Sequence, residues 1–227
     1  NRLFLFSYLC EMYFSKKWPF WKEILKENVI GNPVRYFLYP KSSGNKIFQT
    51  YHLKVFEDFA NLNINNFDIV FEFGGGYGCM ARVFSKINHK IKYTCFDTHY
   101  VNLLQYYYLK HNNLDVGFSK KNNYTLITRL KKYDSDYNKN FKSLFIANWS
   151  LSETPIRFRK NFIRLTQLVD SEYALFLNDD DVPGIGYYRE IYKKLEKYNL
   201  KKILITPHRN SNKYYRAFFG LNKVSYI

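Results

Sequence analysis

The stretch FDIVFEFGGGYGCM, Phe67–Met80, decides how this chain folds. An apolar run typical of a buried strand leads to Glu72 and then breaks into four glycines, Gly74–Gly76 and Gly78. Helix-compatible residues resume directly after them. This order predicts a strand, a tight ligand-binding turn and the start of a helix.

The spacing of the glycines separates two classes of ligand. Positions 74, 76 and 78 read G-x-G-x-G, whereas the dinucleotide fingerprint G-x-G-x-x-G would need a glycine at Cys79. The carboxylate of Glu72 would do little for a phosphate and suits a cationic or amino-bearing ligand. S-adenosylmethionine fits this requirement, because it carries an amino-acid tail, a sulfonium and a ribose but no phosphate.

A second acidic residue stands where a ribose would need it. The strand-like run IKYTCFDTH, residues 91–99, contains Asp97 at its end. An acid about 20 residues after such a turn can accept hydrogen bonds from ribose hydroxyls. The alternative is a plain surface turn with Asp97 as a helix cap, and the agreement of both spacings favours the cofactor site.

Strand and helix patterns alternate after the glycine stretch. Predicted strands cover Asp68–Phe73, Lys92–Phe96, Tyr124–Leu130, Ser143–Trp149, Tyr173–Leu177, Lys202–Thr206 and Tyr214–Phe219. Helical stretches between them, including those after Thr154 and from about Gly186, require parallel strands with right-handed crossovers. We expect an α/β fold: a doubly wound, Rossmann-like, mostly parallel seven-stranded sheet with an antiparallel last strand.

The residues before the glycine stretch are predicted to be mainly helical. Apolar and aromatic positions recur at helical spacing over residues 1 to about 30, and again from Phe48 to about Leu62. Residues 31–46 contain Pro33, Pro40 and a Ser-Ser-Gly turn, which predict an irregular connection. We therefore expect a helical lead-in or cap over residues 1–62 and the ligand-binding domain over residues 63–227.

The formal net charge of +16 raises the question of a nucleic-acid partner. Lysines are spread along the whole chain and form no concentrated patch, so we predict no nucleic acid and keep peripheral contact with an anionic membrane as an alternative. The odd number of cysteines, three, argues against a disulfide framework and for a reducing, cytoplasmic location. The chain starts at Asn1, which is compatible with a segment of a longer protein.

Several short motifs occur together across most of the chain. They are IGNP (30–33), TYHL (50–53), FEFGGGYG (71–78), QYYYL (105–109) and ANWSLSE (147–153). In this combination the chain resembles the class I S-adenosylmethionine-dependent methyltransferases, and more narrowly the sugar O-methyltransferase family of bacterial polysaccharide gene clusters. Family members usually have Leu-Pro after the second acid, where Thr98 and His99 stand here.

The resemblance implies roles for individual residues. Glu72, Gly74, Gly75, Gly76, Tyr77 and Gly78 would hold the methionine moiety, Asp97 and Thr98 the adenosine end, and Asn148 and Trp149 the region of the reactive methyl group. It also implies the acceptor, a sugar or glycan hydroxyl, with nucleotide-linked and lipid-linked carriers left open.

A sugar hydroxyl needs a general base or a metal to become a nucleophile. The candidate bases are His208, Glu153 and His52, and a packed helical histidine is the preferred interpretation for His52. The run Asn178–Asp181 offers oxygen ligands for a divalent cation, but solvated loop acids explain it better, so we predict no metal.

The predicted function is methyl transfer from S-adenosylmethionine to a sugar hydroxyl. The alternatives are an RNA methyltransferase, which the charge would suit, and a nonenzymatic nucleotide-binding or interaction domain. No Asn-Pro-Pro-Tyr type of target-base motif stands after the fourth strand, where the sequence reads NWSL.

Overall fold

The computed structural model describes residues 3–129, 141–150, 153–155, 173–179, 202–208 and 211–220. Its first part contains three helices and a small hairpin, followed by a 3-10 turn. These elements are α1 (Phe4–Tyr13), α2 (Trp18–Leu25), β1 (Arg35–Tyr36), β2 (Tyr39–Ser43), α3 (Gly44–Ala60) and the turn Ile64–Asn66.

The hairpin and the start of α3 differ from the sequence-based prediction. β1 and β2 pair antiparallel within residues 31–46, which were expected to be irregular. Helix α3 begins at Gly44, four residues before the predicted Phe48. The reason is local, because the hydroxyl of Ser43 accepts a hydrogen bond from the backbone N–H of Lys46 at 3.2 Å and so caps the helix.

The remaining elements build one sheet with helices between its strands. They are β3 (Ile69–Phe73), α4 (Cys79–Ile87), β4 (Lys92–Phe96), α5 (His99–His111), β5 (Val116–Gly117), β6 (Tyr124–Ile127), β7 (Ser143–Asn148), β8 (Tyr173–Asp179), β9 (Lys202–His208) and β10 (Ser211–Gly220). The strand order is β5-β6-β4-β3-β7-β8-β10-β9. Neighbours from β5 to β8 are parallel, and β10 is antiparallel to both β8 and β9.

The predicted α/β class, the mostly parallel sheet and the antiparallel last strand are therefore present. The predicted number of seven strands is wrong for the described residues, because β5 adds a two-residue strand at the edge. A strand of two residues has no periodicity that the sequence could reveal. The helices predicted after Thr154 and from about Gly186 lie outside the described residues.

Strand β3 occupies the centre of the sheet, and all five of its residues are buried. A strand covered on both faces is expected to be continuously apolar, and β3 obeys this rule except at Glu72. A buried acid is costly in such a strand, so Glu72 is the residue of β3 that hydrophobic packing alone does not explain.

The N-terminal helices share a continuous hydrophobic core with the sheet. This core includes Tyr8 of α1 and Trp21 of α2 together with Val70 of β3 and Phe84 of α4. The ring of Tyr8 stacks on that of Tyr51 in α3 with 3.8 Å between the centroids. Within the described residues, no helix has the length and apolar character needed to cross a membrane.

A buried ion pair fastens the beginning of α3. The ammonium of Lys46 lies 2.8 Å from a carboxylate oxygen of Glu27, and both side chains are almost completely buried. The second oxygen of Glu27 accepts a hydrogen bond from the Ser43 hydroxyl at 2.7 Å. Both charges are thus paired and hydrogen-bonded, as buried charges must be.

We predict that Lys46→Met destabilises the protein by about 3–5 kcal/mol, because it leaves the carboxylate of Glu27 buried without its cation. Urea unfolding measures this loss. Replacing both partners, as in Glu27→Gln with Lys46→Met, should recover a large part of it, since no buried charge then remains.

The neighbouring pair Lys26–Glu23 is exposed on both sides and provides the matched control. Lys26→Met should change the free energy of unfolding by less than about 1 kcal/mol. Equal losses for Lys46→Met and Lys26→Met would contradict a fastening role for the buried pair.

Candidate functional site

The glycine turn follows β3 and is fixed by the end of β4. The backbone N–H of Gly74 donates to the carbonyl of Phe96 at 2.8 Å, which extends the parallel pairing by one residue into the turn. Gly74 has a φ of +72°, and a Cβ there would lie 2.1 Å from the Cβ of Ser150. Only glycine meets both conditions.

Glu72 lies directly beneath the turn. A Cβ on Gly75 would approach one Glu72 carboxylate oxygen and the Cys95 sulfur to 2.6 Å each. The backbone at Gly75 therefore packs closely against these two side chains. The same carboxylate oxygen accepts a hydrogen bond from the Tyr93 hydroxyl at 2.7 Å.

Burial raises the pKa of Glu72 to about 7, and the negative charge of Asp97 adds to this, while the Tyr93 hydrogen bond acts in the opposite direction. The carboxyl therefore titrates near neutral pH. A cation above the turn would favour its ionised form, so this position suits a positively charged ligand group.

Asp97 joins the turn to the end of β4. One of its carboxylate oxygens accepts a hydrogen bond from the backbone N–H of Gly76 at 3.2 Å, and the other accepts from the N–H of Thr98 at 2.7 Å. Partial burial raises the pKa of Asp97, while both N–H donors lower it. The carboxylate thus has a defined orientation but remains partly accessible to a ligand.

Two buried polar residues also belong to this region, and no sequence motif would have selected them. Gln105 of α5 is fully buried, and its amide nitrogen lies 3.5 Å from the Asp97 carboxylate. Asn102, also fully buried, donates to the carbonyl of Ile127 at 3.0 Å. The side-chain oxygens of both residues have no hydrogen-bond partner among the described residues. Gln105 belongs to the QYYYL motif, which by itself assigns it no role.

The end of β7 forms the other side of the turn. Trp149 has a φ of +56°, which is unusual for a bulky residue and typical of functional sites. The hydroxyl of Ser150 donates to the carbonyl of Phe73 and so ties this segment to β3. Strand β7 therefore ends one residue before the predicted Trp149, because the chain turns there.

Helix α3 covers this region from the N-terminal side. Its Phe48 ring lies 4.6 Å from the Trp149 ring, and its Gln49 accepts a hydrogen bond from the Asn148 amide at 2.8 Å. The side-chain oxygen of Asn148 is buried and has no hydrogen-bond partner in the described part of the chain. At the start of the same helix, Asn45 donates to the hydroxyl of Tyr77 in the glycine turn at 3.0 Å.

The predicted cofactor-binding residues therefore lie together. Glu72, Gly74–Gly78, Asp97, Thr98, Asn148 and Trp149 all stand at the carboxyl ends of β3, β4 and β7, which are adjacent in the sheet. Beside Gly76 there is open space, since no atom lies within 4 Å of where its Cβ would be.

The three candidate bases occupy very different places. His52 is fully buried in α3, its Nδ1 donates to the Phe48 carbonyl at 2.7 Å, and its ring packs against the Tyr8 and Tyr51 rings. Its position matches the preferred interpretation of a packed histidine. Glu153 is exposed in the turn after β7.

His208 ends β9, at the same sheet edge as the glycine turn but on the outermost strand. It is four strand spacings from β3, roughly 19 Å at about 4.8 Å per spacing. Its role as a base stays a prediction. Asn178 and Asp179 end β8, beside β7, whereas Asp180 and Asp181 lie outside the described residues. The described residues contain no cluster of side chains suited to a metal ion.

Solved methyltransferases share this architecture, although no protein-family model and no curated protein matches the sequence. The methyltransferase domain of bacterial CtHen1 aligns with a TM-score of 0.56 and 13% identity over 77% of this chain and 99% of that one. The N-terminal domain of human METTL16, solved in complex with SAH, aligns with a TM-score of 0.54 and 8% identity over 78% of this chain and 71% of that one. A proposed RNA methyltransferase from Pyrococcus horikoshii aligns with a TM-score of 0.50 and 12% identity over 94% of this chain and 100% of that one.

We predict that Glu72→Gln alters how stability depends on pH. The raised pKa means that folded Glu72 keeps its proton up to about pH 7, whereas an unfolded glutamate loses it near 4.5. Its contribution to stability is thus complete below pH 4.5 and is lost as pH rises through 7. Relative to wild type, the variant should gain up to about 3 kcal/mol between pH 4.5 and about pH 8.

Urea unfolding at several pH values measures this difference, with Asp115→Asn as the control. Hydrogen bonds from Asn122 and Asn123 lower the pKa of Asp115, so it stays ionised over this range and its variant should give a flat difference. A flat difference for Glu72→Gln as well would show that its carboxyl does not titrate near neutrality.

At these sequence identities the similarities show the fold alone. The chain has the class I fold of solved S-adenosylmethionine-dependent methyltransferases, and the narrower resemblance to sugar O-methyltransferases stays a prediction.

Proposed function

We propose that the protein is an S-adenosylmethionine-dependent methyltransferase and that its acceptor is a sugar hydroxyl. The observation that carries the first part is the hydrogen bond between the Gly76 N–H and the Asp97 carboxylate, because it joins the turn and the ribose-type acid into one site. The fold, which is shared with a methyltransferase domain solved with SAH, supports the same conclusion.

The residues present fit this cofactor. Glu72 and the backbone of Gly74–Gly78 would hold its amino-acid part, and Asp97 its ribose hydroxyls. There is open space beside Gly76, and the side-chain oxygen of Gln105, which has no hydrogen-bond partner in the described part of the chain, offers an acceptor nearby. When bound, the cofactor supplies an electrophilic methyl group on a sulfonium.

Methyl transfer requires little covalent participation by the protein. Alignment of the acceptor oxygen with the methyl group supplies most of the acceleration. We assign this positioning to the end of β7, where Asn148 offers a buried side-chain oxygen without a partner among the described residues and Trp149 presents its ring. Of the candidate bases, Glu153 is exposed and stands four residues after Trp149 in the sequence, so we propose it for removal of the hydroxyl proton.

An RNA acceptor is the second candidate function. The net charge of +16 would favour binding to phosphates, and the Pyrococcus horikoshii protein with the same fold is a proposed RNA methyltransferase. The sugar acceptor rests on the resemblance of the TYHL and ANWSLSE motifs, so the two acceptors must be compared directly by experiment.

Calorimetry with S-adenosylmethionine and with NAD tests the cofactor. We expect binding of S-adenosylmethionine and not of NAD, and a loss of at least roughly tenfold in affinity for Asp97→Ala, which removes a charged acceptor for ribose hydroxyls. Asp58→Ala, at an exposed acid of α3, is the control that should bind normally. If Asp97→Ala binds as tightly as wild type, the assigned site is wrong.

Transfer of a labelled methyl group tests the acceptor. Glycans and RNA are offered in parallel to wild type and to Glu153→Gln. We expect label in the glycan fraction, reduced in the variant by 10²-fold or more if a general base is lost. Label in RNA alone would overturn the sugar assignment and leave the cofactor assignment intact.

A further inference from the structure

We propose that a cleft beside the glycine turn is the acceptor subsite of this enzyme and that it takes an uncharged sugar ring. The inference rests on the proposed function and adds where the acceptor binds and which charge it carries. The cleft has a volume of about 380 Å³ and is formed by the loop 30–34, the start of α3, the turn residue Tyr77 and the helix α5.

The cleft adjoins the candidate cofactor site because a residue of the glycine turn forms part of its wall. Tyr77 lies between Gly76 and Gly78, and its ring meets the ring of Tyr108 edge-on at 5.1 Å. Its hydroxyl is held by Asn45 from the opposite wall. One wall of the cleft is therefore continuous with the turn that would bind the cofactor.

The lining of the cleft is uncharged. None of the described residues that form it is Lys, Arg, Asp, Glu or His, although the chain as a whole carries +16. A phosphate-bearing ligand would need cationic partners there. The cleft thus suits a neutral ligand and disfavours a nucleotide or an RNA backbone.

The chemistry of the walls suits a ring with one apolar face and several hydroxyls. Tyr77, Tyr107 and Tyr108 supply aromatic surface, and Leu104 supplies apolar surface. Tyr108 is only 6% exposed, so most of its ring is packed within the wall of the cleft. A tyrosine combines an apolar ring with a hydroxyl that donates and accepts hydrogen bonds, so these side chains can pair with the hydroxyls of a sugar ring.

Helix α3 connects the cleft with the proposed reaction point. Asn45 borders the cleft, and Gln49, one turn further along, is hydrogen-bonded to Asn148 at the end of β7. Four residues of helix rise about 6 Å along the axis. Asn45 at the cleft is thus one helical turn from Gln49, which contacts the segment to which we assign acceptor positioning.

Saturation-transfer NMR tests the subsite, using neutral methyl glycosides of glucose, galactose, mannose and fucose against adenosine monophosphate. The protein is first saturated with S-adenosylhomocysteine. We expect at least one glycoside to bind and adenosine monophosphate not to bind. Tyr107→Ala and Tyr108→Phe should each weaken glycoside binding roughly 3- to 10-fold, through lost ring contact and a lost hydrogen bond.

Val34→Asp, at a rim position that is 82% exposed, should also weaken glycoside binding, because it puts a charge into the neutral cleft. The control for Tyr107→Ala is Tyr100→Ala, which removes an exposed tyrosine of the same helix α5 outside the cleft and should bind like wild type. All variants must still bind S-adenosylhomocysteine, which shows that they are folded.

Three outcomes would overturn the subsite: no glycoside binds to the saturated protein, cleft variants bind glycosides as wild type does, or a glycoside binds only when S-adenosylhomocysteine is left out. Binding of adenosine monophosphate in its place would favour an RNA acceptor and overturn it equally. Failure of the proposed function looks different, since wild type would then not bind S-adenosylhomocysteine while glycoside binding could still be measured.

Discussion

The parallel pairing of β3 with β4 is the constraint on which the site depends. Its register sets Phe73 opposite Phe96, and the Gly74 N–H continues the ladder to the Phe96 carbonyl. The next residues of each strand are then the glycine turn and Asp97, so the hydrogen bond between them follows from the sheet itself. A slip of one residue between β3 and β4 would move Asp97 away from Gly76 and Tyr93 away from Glu72.

The N-terminal part contributes helix α3 to the site. Side-chain contacts hold this helix in place, whereas backbone pairing holds the strands. Aromatic stacking and the buried Glu27–Lys46 pair fix α3 against the core, and α3 in turn reaches the turn through Asn45 and the end of β7 through Gln49. The same helix therefore borders both the cleft and the residues assigned to acceptor positioning. This arrangement gives the cap a direct part in acceptor binding under the proposed function.

Sequence patterns predicted the strands and the grouping of the turn with Asp97, because burial periodicity and glycine spacing are local signals. They missed the two-residue strand β5 and the β1–β2 hairpin, because strands this short form through pairing with a neighbour and have no periodicity of their own. They also missed Gln105 and Asn102, since a polar residue in a helix does not reveal which side it buries. His208 was selected for its place at a strand end, but the order of strands, which no local pattern gives, puts β9 at the far edge.

The central claim is that S-adenosylmethionine binds between the glycine turn and Asp97. A crystal structure with S-adenosylhomocysteine tests it most directly. We expect electron density along Gly74–Gly78, with the ribose hydroxyls on the Asp97 carboxylate and the sulfur facing the end of β7. Density at any other edge of the sheet, or a ribose turned away from Asp97, would contradict it.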